Sequence, residues 1–424
     1  MQQLQRALLV AVLVLAAAFL SHSLAHGATA RIPVWLGSGI TFGALLVSVR
    51  WSWPAILAGA GVAVAAWGYI RHDFGPVPAL AFGAIEIVSM GLAASIATLG
   101  REDPQSPAGA ALLVTGALTG SAVGAVLAVE LWRWQRPGSD VAAEWLTWML
   151  SAAVGLLLVA PVITAFRGFG VKRSGGLPMA PFLGGLAAFA AFTVVALMVF
   201  ADQSDRRFGS FAATLAYLPM PFLLLAALLW GPRGGAIAML LGSLLLIWRT
   251  ARGGGPFAVS EGFQGEAVVE VQGFIAIWAI VMLLTRALSE GRRAALEQAS
   301  AWRLRYERTL QAVGVASVEY DAVTGRATWG KGADQLLGPA IGDVSSVSQW
   351  HDRIDAAERG LVQAAWSAVA SGELPVIEHD YAVRLGDGRS LRVRERLAGV
   401  HGADGAVEQV AALLRPAPLE IANG

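Results

Sequence analysis

The 424-residue chain contains no cysteine. Disulfides, thiolate zinc sites, iron–sulfur clusters and cysteinyl-flavin photochemistry are thereby excluded. Charge is also scarce. Asp, Glu, Lys and Arg make up 14% of the residues, against roughly 25% in an average soluble domain. With 56% apolar residues, this composition rules out a single soluble globule. Catalytic signatures are missing as well: there is no Walker or Rossmann glycine loop, no HExxH, no GxSxG elbow, and no kinase or nucleotide-cyclase motif. The expectation is therefore a protein that is not an enzyme.

The scarcity of charge is uneven. Of 61 charged side chains, 28 lie in the first 288 residues and 33 in the last 136. A charge-poor block several bilayer spans long thus precedes a segment of ordinary soluble composition. The two parts carry net charges of +4 and −3, which argues against a nucleic-acid partner.

An apolar helix needs about 20 residues to cross the hydrocarbon layer. Ten segments approach that length: 6–25, 33–49, 51–70, 77–99, 109–132, 144–166, 181–201, 210–230, 234–248 and 267–288. The second, third and ninth are short or crowded by glycine, so eight full spans plus tilted or re-entrant pieces is the other count. The first segment also fits a signal peptide cleaved after Ala25. Ten spans starting inside, or nine starting outside, both leave the C-terminus in the cytoplasm. Lys and Arg divide eight to eight between the two sides through Arg286, so their distribution decides nothing, and Arg292 with Arg293 tips it slightly inward.

Trp35, Trp51, Trp53, Trp132, Trp134, Trp145, Trp230 and Trp248 fall near span ends and read as interface anchors. Gly116, Gly120 and Gly124 share one helix face and read as a packing surface. Acids inside spans are costly and face a cavity or a partner. Glu86 lies well inside its span, and it either holds a ligand, relays a proton or pairs with a neighbouring hydroxyl or Arg. Glu130 and Glu270 lie near span ends. Together with Arg249, in the wet end at 249–255, these are the candidate sensing residues.

An ordered series of motifs carries a resemblance: Pro33-Val-Trp-Leu-Gly-Ser-Gly39, Trp53-Pro54, Gly83-Ala-Ile-Glu86, Trp145-Leu-Thr-Trp148, Gly155-Leu-Leu-Leu-Val-Ala-Pro161, Trp230-Gly-Pro-Arg-Gly234 and Gly254-Gly-Pro-Phe257. Over about residues 8–290 the chain resembles the bacterial membrane-associated sensor domains of the MASE type. The resemblance implies a multi-helix membrane unit of about eight spans that feeds a cytoplasmic output. That family commonly has an acid shortly before the glycine leading to the proline of the sixth span. Here Ala152 stands in that place.

From 285 to 311 the sequence is rich in Arg, Glu, Ala and Leu, has no proline, and continues as a helix. Leu296, Ala299, Arg303, Tyr306, Leu310 and Val313 follow a 3-4 spacing. That spacing describes either the seam of a parallel dimer or a solvated connecting helix. Beyond it the period falls to two. A hairpin is expected around Asp321-Ala-Val-Thr-Gly325, and a helix over 355–370 with Leu361, Ala365 and Val369 inward. Strands are expected at Ile377 to Val383 and Leu391 to Arg396, joined by Asp387-Gly388, with a last strand over 407–414.

That order, with Glu319-Tyr-Asp321, Thr324-Gly325, Trp350, Ile354-Asp-Ala-Ala-Glu-Arg359, Tyr381-Ala-Val-Arg384 and Asp387-Gly388, resembles a PAS domain over about 310–415. Such domains hold a ligand between sheet and helices or dimerise. His379 and Tyr381 are the candidate pocket residues. His351 and His379 are the candidates for an axial haem ligand, and a histidine on a strand face is more often simply packed. The sequence specifies no cofactor.

The expected architecture is mixed: a polytopic α-helical membrane bundle of about 8–10 spans (1–288), a helical linker (289–311), a C-terminal α+β PAS-like domain (312–415) and a tail (416–424). The residues after 414 are too few for an output domain. The leading expectation is thus a signal-input protein of a bacterial inner membrane. Its expected partners are the lipid bilayer, a second copy in a homodimer, and a separate cytoplasmic kinase, cyclase or regulator. The alternatives are a transporter or channel with a regulatory soluble domain, or a truncated kinase or cyclase.

Overall fold

Hydrocarbon offers no partner for backbone amides, so a chain with apolar runs of this length satisfies them within helices. The computed structural model describes residues 1–25, 31–101, 106–135, 141–168, 178–202, 211–258 and 265–418. It divides into two units, Met1–Arg292 and Arg293–Gly424.

The first unit is built from α1 (Gln2–Ser23), α2 (Leu36–Val47), α3 (Trp53–His72), α4 (Pro76–Ala97), α5 (Pro107–Gln135), α6 (Val141–Ala165), α7 (Met179–Val199), α8 (Met220–Ala251) and the part of α9 (Glu266–Ala312) up to Arg292. Proline stands in the first turn of α3, α4 and α8, where its missing N–H costs nothing and its fixed φ suits a helix start. Among the described residues, eight helices are long and apolar enough to cross a membrane. Leu8, Val12, Val62, Leu80, Val88, Val194, Leu241 and Ile277 on their outward faces are exposed, as a lipid-facing surface requires.

Close contacts fix the direction of each helix. Arg6 bonds Ser52, and Gly59 lies against Ala7, while Trp67 and Arg71 meet Phe19 and His22. Helices α1 and α3 are therefore parallel, and α2 must cross between them. Its 12 residues span only about 18 Å, and the non-helical residues on either side of it supply the remaining reach. Helix α6 runs parallel to α2, with the Trp35 amide on the Ser151 carbonyl at 3.0 Å and Gly39 against Gly155.

The long element α8 is not straight. Gly231 sits at φ 66°, ψ −162°, a conformation open essentially to glycine alone. A β-carbon on Gly235 would lie 2.8 Å from the Ala227 carbonyl, and one on Gly242 3.2 Å from Leu223. Residues eight apart in a straight helix are about 12 Å apart. The chain therefore reverses at Gly231, and α8 is a hairpin of two antiparallel arms. The second arm corresponds to the expected segment 234–248. The first, Met220–Trp230, is only the latter half of the expected segment 210–230, whose described earlier part is a separate short helix (Ala212–Leu215) and a turn.

Among the described residues eight helices are of membrane-crossing length, while α2 and the first arm of α8 (Met220–Trp230) are shorter; following the direction of each, Met1 and Arg292 lie at the same end. At that end Arg6 and Arg50 stack on Trp51 and Trp53, each 5.3 Å from the ring centre. Gly291 of α9 lies there too, against Pro107. The opposite end carries His22, Arg31 and Arg71, and also the start of α9, whose Gln272 donates to the Pro33 carbonyl at 2.9 Å.

The second unit is a five-stranded antiparallel sheet in the order β2-β1-β5-β4-β3. Its strands are β1 (Ala316–Asp321), β2 (Ala327–Trp329), β3 (Val376–Arg384), β4 (Ser390–His401) and β5 (Val407–Pro416). Helices α10 (Ala333–Leu337), α11 (Val347–Asp352) and α12 (Arg359–Ala370) lie between β2 and β3 in sequence. This is the expected α+β, PAS-like arrangement. Asp387 and Gly388 make the β3–β4 turn, Gly388 at φ 84°, and pair Asp380 with Arg394 and His379 with Glu395 across the strands.

Two details differ from expectation. Helix α12 begins at Arg359 and not at 355, because Asp355 caps the preceding turn, accepting from the Ala357 amide at 3.1 Å. Its inward face is Val362, Ala365 and Val369, with Leu361 exposed. Helix α9 ends at Ala312, so Val313 falls outside the 3-4 series.

Burial holds the His351 imidazole below its ordinary value. A histidine that excludes its proton on folding contributes stability that is full above its unfolded value of about 6.5 and is lost as pH falls toward its lowered folded value. Protease resistance of residues 313–416 in the full chain is expected to fail at lower temperature at pH 5.5 than at pH 7.5. In His351→Gln that difference shrinks. An unchanged difference in the variant would assign the pH dependence to another group.

Candidate functional site

Helices α1 to α6 enclose a cavity of about 620 Å³, within the range of small-molecule sites. Small residues in its lining, among them Gly120, Gly124 and Ala152, leave that volume open, while glycines beside it let the helix backbones approach. Gly116, Gly120 and Gly124 of α5 pack on Ala97, Ala93 and Ser89 of α4, and Gly83 packs on Gly61. The expected glycine face is thus a packing surface, and Gly120 and Gly124 also line the cavity.

Glu86 is at the inner end. It is the eleventh residue of α4, about 15 Å along the helix from Pro76. Its side chain is buried, with 6% exposure. Oε2 accepts from the Ser38 hydroxyl at 2.7 Å, and Ser38 is the third residue of α2. The hydroxyl and the N-terminal end of that helix both favour negative charge at this place. Oε1 is buried and accepts no hydrogen bond of normal geometry from the described residues, although the Thr41 hydroxyl, which donates to the Gly37 carbonyl at 3.2 Å, also lies close to the carboxylate. Three more polar atoms of the lining are likewise buried without a partner: Ser121 Oγ, Trp67 Nε1 and Glu144 Oε2.

The walls are aromatic. Trp35, Trp67, His72, Phe82, Trp132 and Trp148 line the cavity. Their rings interlock edge-on or tilted, with His72 and Trp132 centres 5.3 Å apart, Phe82 and Trp148 5.8 Å, Trp35 and Trp67 6.1 Å. Trp35 and Trp132, expected as interface anchors, are cavity walls. Trp51 and Trp134 are exposed near helix ends, where anchors belong. Arg31 and Arg71 stand at the outer end. Arg31 donates to Thr147 at 3.3 Å and Arg71 to His22 Nε2 at 2.9 Å. Neither has a carboxylate partner among the described residues. This end is the one from which α9 starts, and α9 leaves the unit at the other.

Of the sensing candidates read from sequence, only Glu86 belongs to this cavity. Glu130 is exposed near the end of α5 and pairs with Arg133 at 3.0 Å. Arg249 binds the Phe200 carbonyl at 2.9 Å and Asp202 at 3.4 Å, joining α7 to α8. Glu270 is exposed on α9. Sequence reasoning missed Arg31, Arg71 and Glu144, which a charge count at span ends treats as solvated. Ala152, the departure from the family pattern, lines the cavity.

In the second unit, Tyr381 is fully buried and its hydroxyl is engaged twice. It accepts from Trp350 Nε1 at 3.0 Å and donates to Glu395 Oε2 at 3.0 Å. His379 Nε2 lies 3.3 Å from the same oxygen. Burial and the Glu395 charge push the Tyr381 and Tyr320 phenols well above their ordinary range. Asp380, held by a two-pronged contact from Arg394 at 2.6 and 2.8 Å, stays below the usual carboxylate range. Glu395 went unnoticed in the sequence, although period two places it inward after Val393. His379 and Tyr381 are therefore members of a polar network inside the sheet-helix core.

The MASE1 family model matches residues 4–293, more than two thirds of the chain. The chain belongs to the MASE1 family. The cavity thus lies within a MASE1 membrane-sensor unit. No match was found among curated proteins. Solved structures similar to the chain include the N-terminal domain of a diguanylate cyclase with PAS/PAC sensor from Marinobacter aquaeolei, at 20% identity, covering 24% of this chain and 94% of that one, TM-score 0.23. A sensory box histidine kinase/response regulator from Burkholderia thailandensis matches at 14% identity over 26% and 83%, TM-score 0.23. An RNA-binding light-oxygen-voltage receptor matches at 18% over 24% and 29%, TM-score 0.21.

Proposed function

We propose that this MASE1 protein is a non-enzymatic signal-input protein that binds a small molecule in the α1–α6 cavity. Helix α9 passes the bound state to the PAS-like domain, which engages a separate kinase, cyclase or regulator. The protein sits in a bacterial inner membrane with the PAS-like domain in the cytoplasm, so the cavity opens to the other side. The observation that carries this reading is α9 itself. It runs without a break from Glu266 to Ala312, touches the cavity-mouth end through Gln272, and leaves at the far end. Such a helix can report a change in packing at one end as a shift at the other, provided the stimulus favours one of two packings by a few kcal/mol.

The homodimer is supported by the second half of α9. Leu296 and Tyr306 of the 3-4 series are exposed, at 62% and 56%, on a helix that leaves the lipid. A seam between two copies would cover the 3-4 series within that stretch. The lack of native cysteine makes the test clean, since an introduced thiol is the only one in the chain. Single cysteines at 296, 299, 303, 306 and 310 are expected to form intermolecular disulfides in membranes at least threefold more readily than cysteines at 301 and 305. A flat profile, or no dimer at any position, would refute the seam.

A further inference from the structure

The cavity has polarity along its length, and that polarity specifies a class of ligand. At the inner end a buried carboxylate, with the Thr41 hydroxyl nearby, offers one oxygen that accepts no hydrogen bond of normal geometry from the described chain, in a cavity walled by aromatic rings. Aromatic faces attract cations most when water is excluded, and an ammonium also donates the hydrogen bond that Glu86 Oε1 lacks. At the outer end Arg31 and Arg71 stand without a carboxylate partner among the described residues, and with Glu144, one turn before Thr147, that end keeps one net positive charge; guanidinium suits carboxylate or phosphate.

The ends are a fixed distance apart. Arg31 bonds Thr147, one helical turn from Ser151, and the Ser151 carbonyl holds the Trp35 amide three residues before Ser38. Their separation is on the order of 10 Å. A purely cationic ligand would meet two arginines at the mouth, and a purely anionic one would face Glu86 inside. The lining carries Arg31 and Arg71 against Glu86 and Glu144, so a ligand with no net charge balances it.

Resting on the sensor reading above, we infer that the cavity binds a zwitterion with an apolar or aromatic body. Its ammonium lies on Glu86 among Trp35, Phe82 and Trp148, and its carboxylate or phosphate lies on Arg31 and Arg71. Two sources share this chemistry: a soluble zwitterion such as a short peptide, and a zwitterionic lipid headgroup.

The test uses the full chain in nanodiscs and reads the thermal unfolding midpoint, which a ligand raises according to its affinity. The soluble probes are the dipeptide Phe-Phe, its C-terminal amide, which is a cation, and its N-acetyl form, which is an anion. The lipid arm compares nanodiscs of phosphatidylethanolamine with nanodiscs of phosphatidylglycerol. Phe-Phe is expected to bind at least tenfold more tightly than either blocked form. If the source is lipid, phosphatidylethanolamine stabilises the chain relative to phosphatidylglycerol.

Each variant reads one end. In Glu86→Gln the preference for Phe-Phe over the N-acetyl form disappears while its preference over the amide survives, and in Arg71→Gln the pattern reverses. In the lipid arm both variants lose the phosphatidylethanolamine preference. Each comparison is made within one variant, so a general loss of stability does not imitate the result. Equal affinity of Phe-Phe and either blocked form in the wild type, or no response to any soluble probe together with no lipid preference, would overturn the inference. Either outcome leaves the disulfide profile of α9 untouched, so failure of the ligand class is distinguishable from failure of the sensor reading.

Discussion

Gly155→Leu is expected to destroy the folded membrane unit. A β-carbon at Gly155 would overlap the carbonyl of Trp35, and Gly39 on the same contact meets the Gly155 carbonyl. Overpacking a core usually costs about 1–3 kcal/mol because side chains move aside. Here the obstacle is backbone, fixed by the Trp35 amide on the Ser151 carbonyl, so relief requires moving α2 away from α6. The cost should reach about 3 kcal/mol or more, seen as loss of monodisperse protein in detergent and of any thermal transition in the membrane unit. Gly273→Leu is the control. A β-carbon there meets nothing within 4 Å, and the variant should purify as the wild type does. A Gly155→Leu chain as stable as the Gly273→Leu chain would show that α2 and α6 are not packed in this way.

Glu395→Ala should have the largest effect in the second unit. Glu395 is 1% exposed and accepts from Tyr381, with His379 beside it. Removing the carboxylate leaves the buried Tyr381 hydroxyl without its acceptor and opens a void in the core; a hydrogen bond to a charged group is typically worth about 1.5–3 kcal/mol. Glu395→Gln keeps an acceptor for the Tyr381 hydroxyl and should lose less than half as much. Protease resistance of residues 313–416 against temperature, measured in the full chain, reads both variants. Wild-type behaviour of Glu395→Ala would mean that the network does not support the fold.

The outline of this molecule was legible because lipid and sheet impose strong periods. Among the described residues, runs of apolar residues located the eight helices long enough to cross a membrane and the shorter α2, and Trp230-Gly-Pro-Arg marked the fold at Gly231 that divides α8. Alternation located β3, β4 and β5 to within five residues at their ends. The site was legible only in part. Glu86 stood out because a charge in the middle of a span is rare. Arg31, Arg71 and Glu144 did not, because a charge at a span end is ordinary until the helices are assembled. Trp35 and Trp132 were misassigned for the same reason: a tryptophan near a span end can face headgroups or a cavity, and only helix rotation decides. Leu361 and Val362 show the same limit at one residue, since a helix start displaced from 355 to 359 leaves the inward face to packing.

In the proposed sensor the state of the Glu86 cavity is read in the α9 helix. Disulfide scanning at 296, 299, 303, 306 and 310 in native membranes, in the wild-type and the Glu86→Gln backgrounds, measures that connection directly. The expected result is a profile whose peak yields change at least threefold, in the same direction along the seam, when Glu86 loses its charge. Superimposable profiles from a Glu86→Gln chain that is folded and dimeric would contradict it.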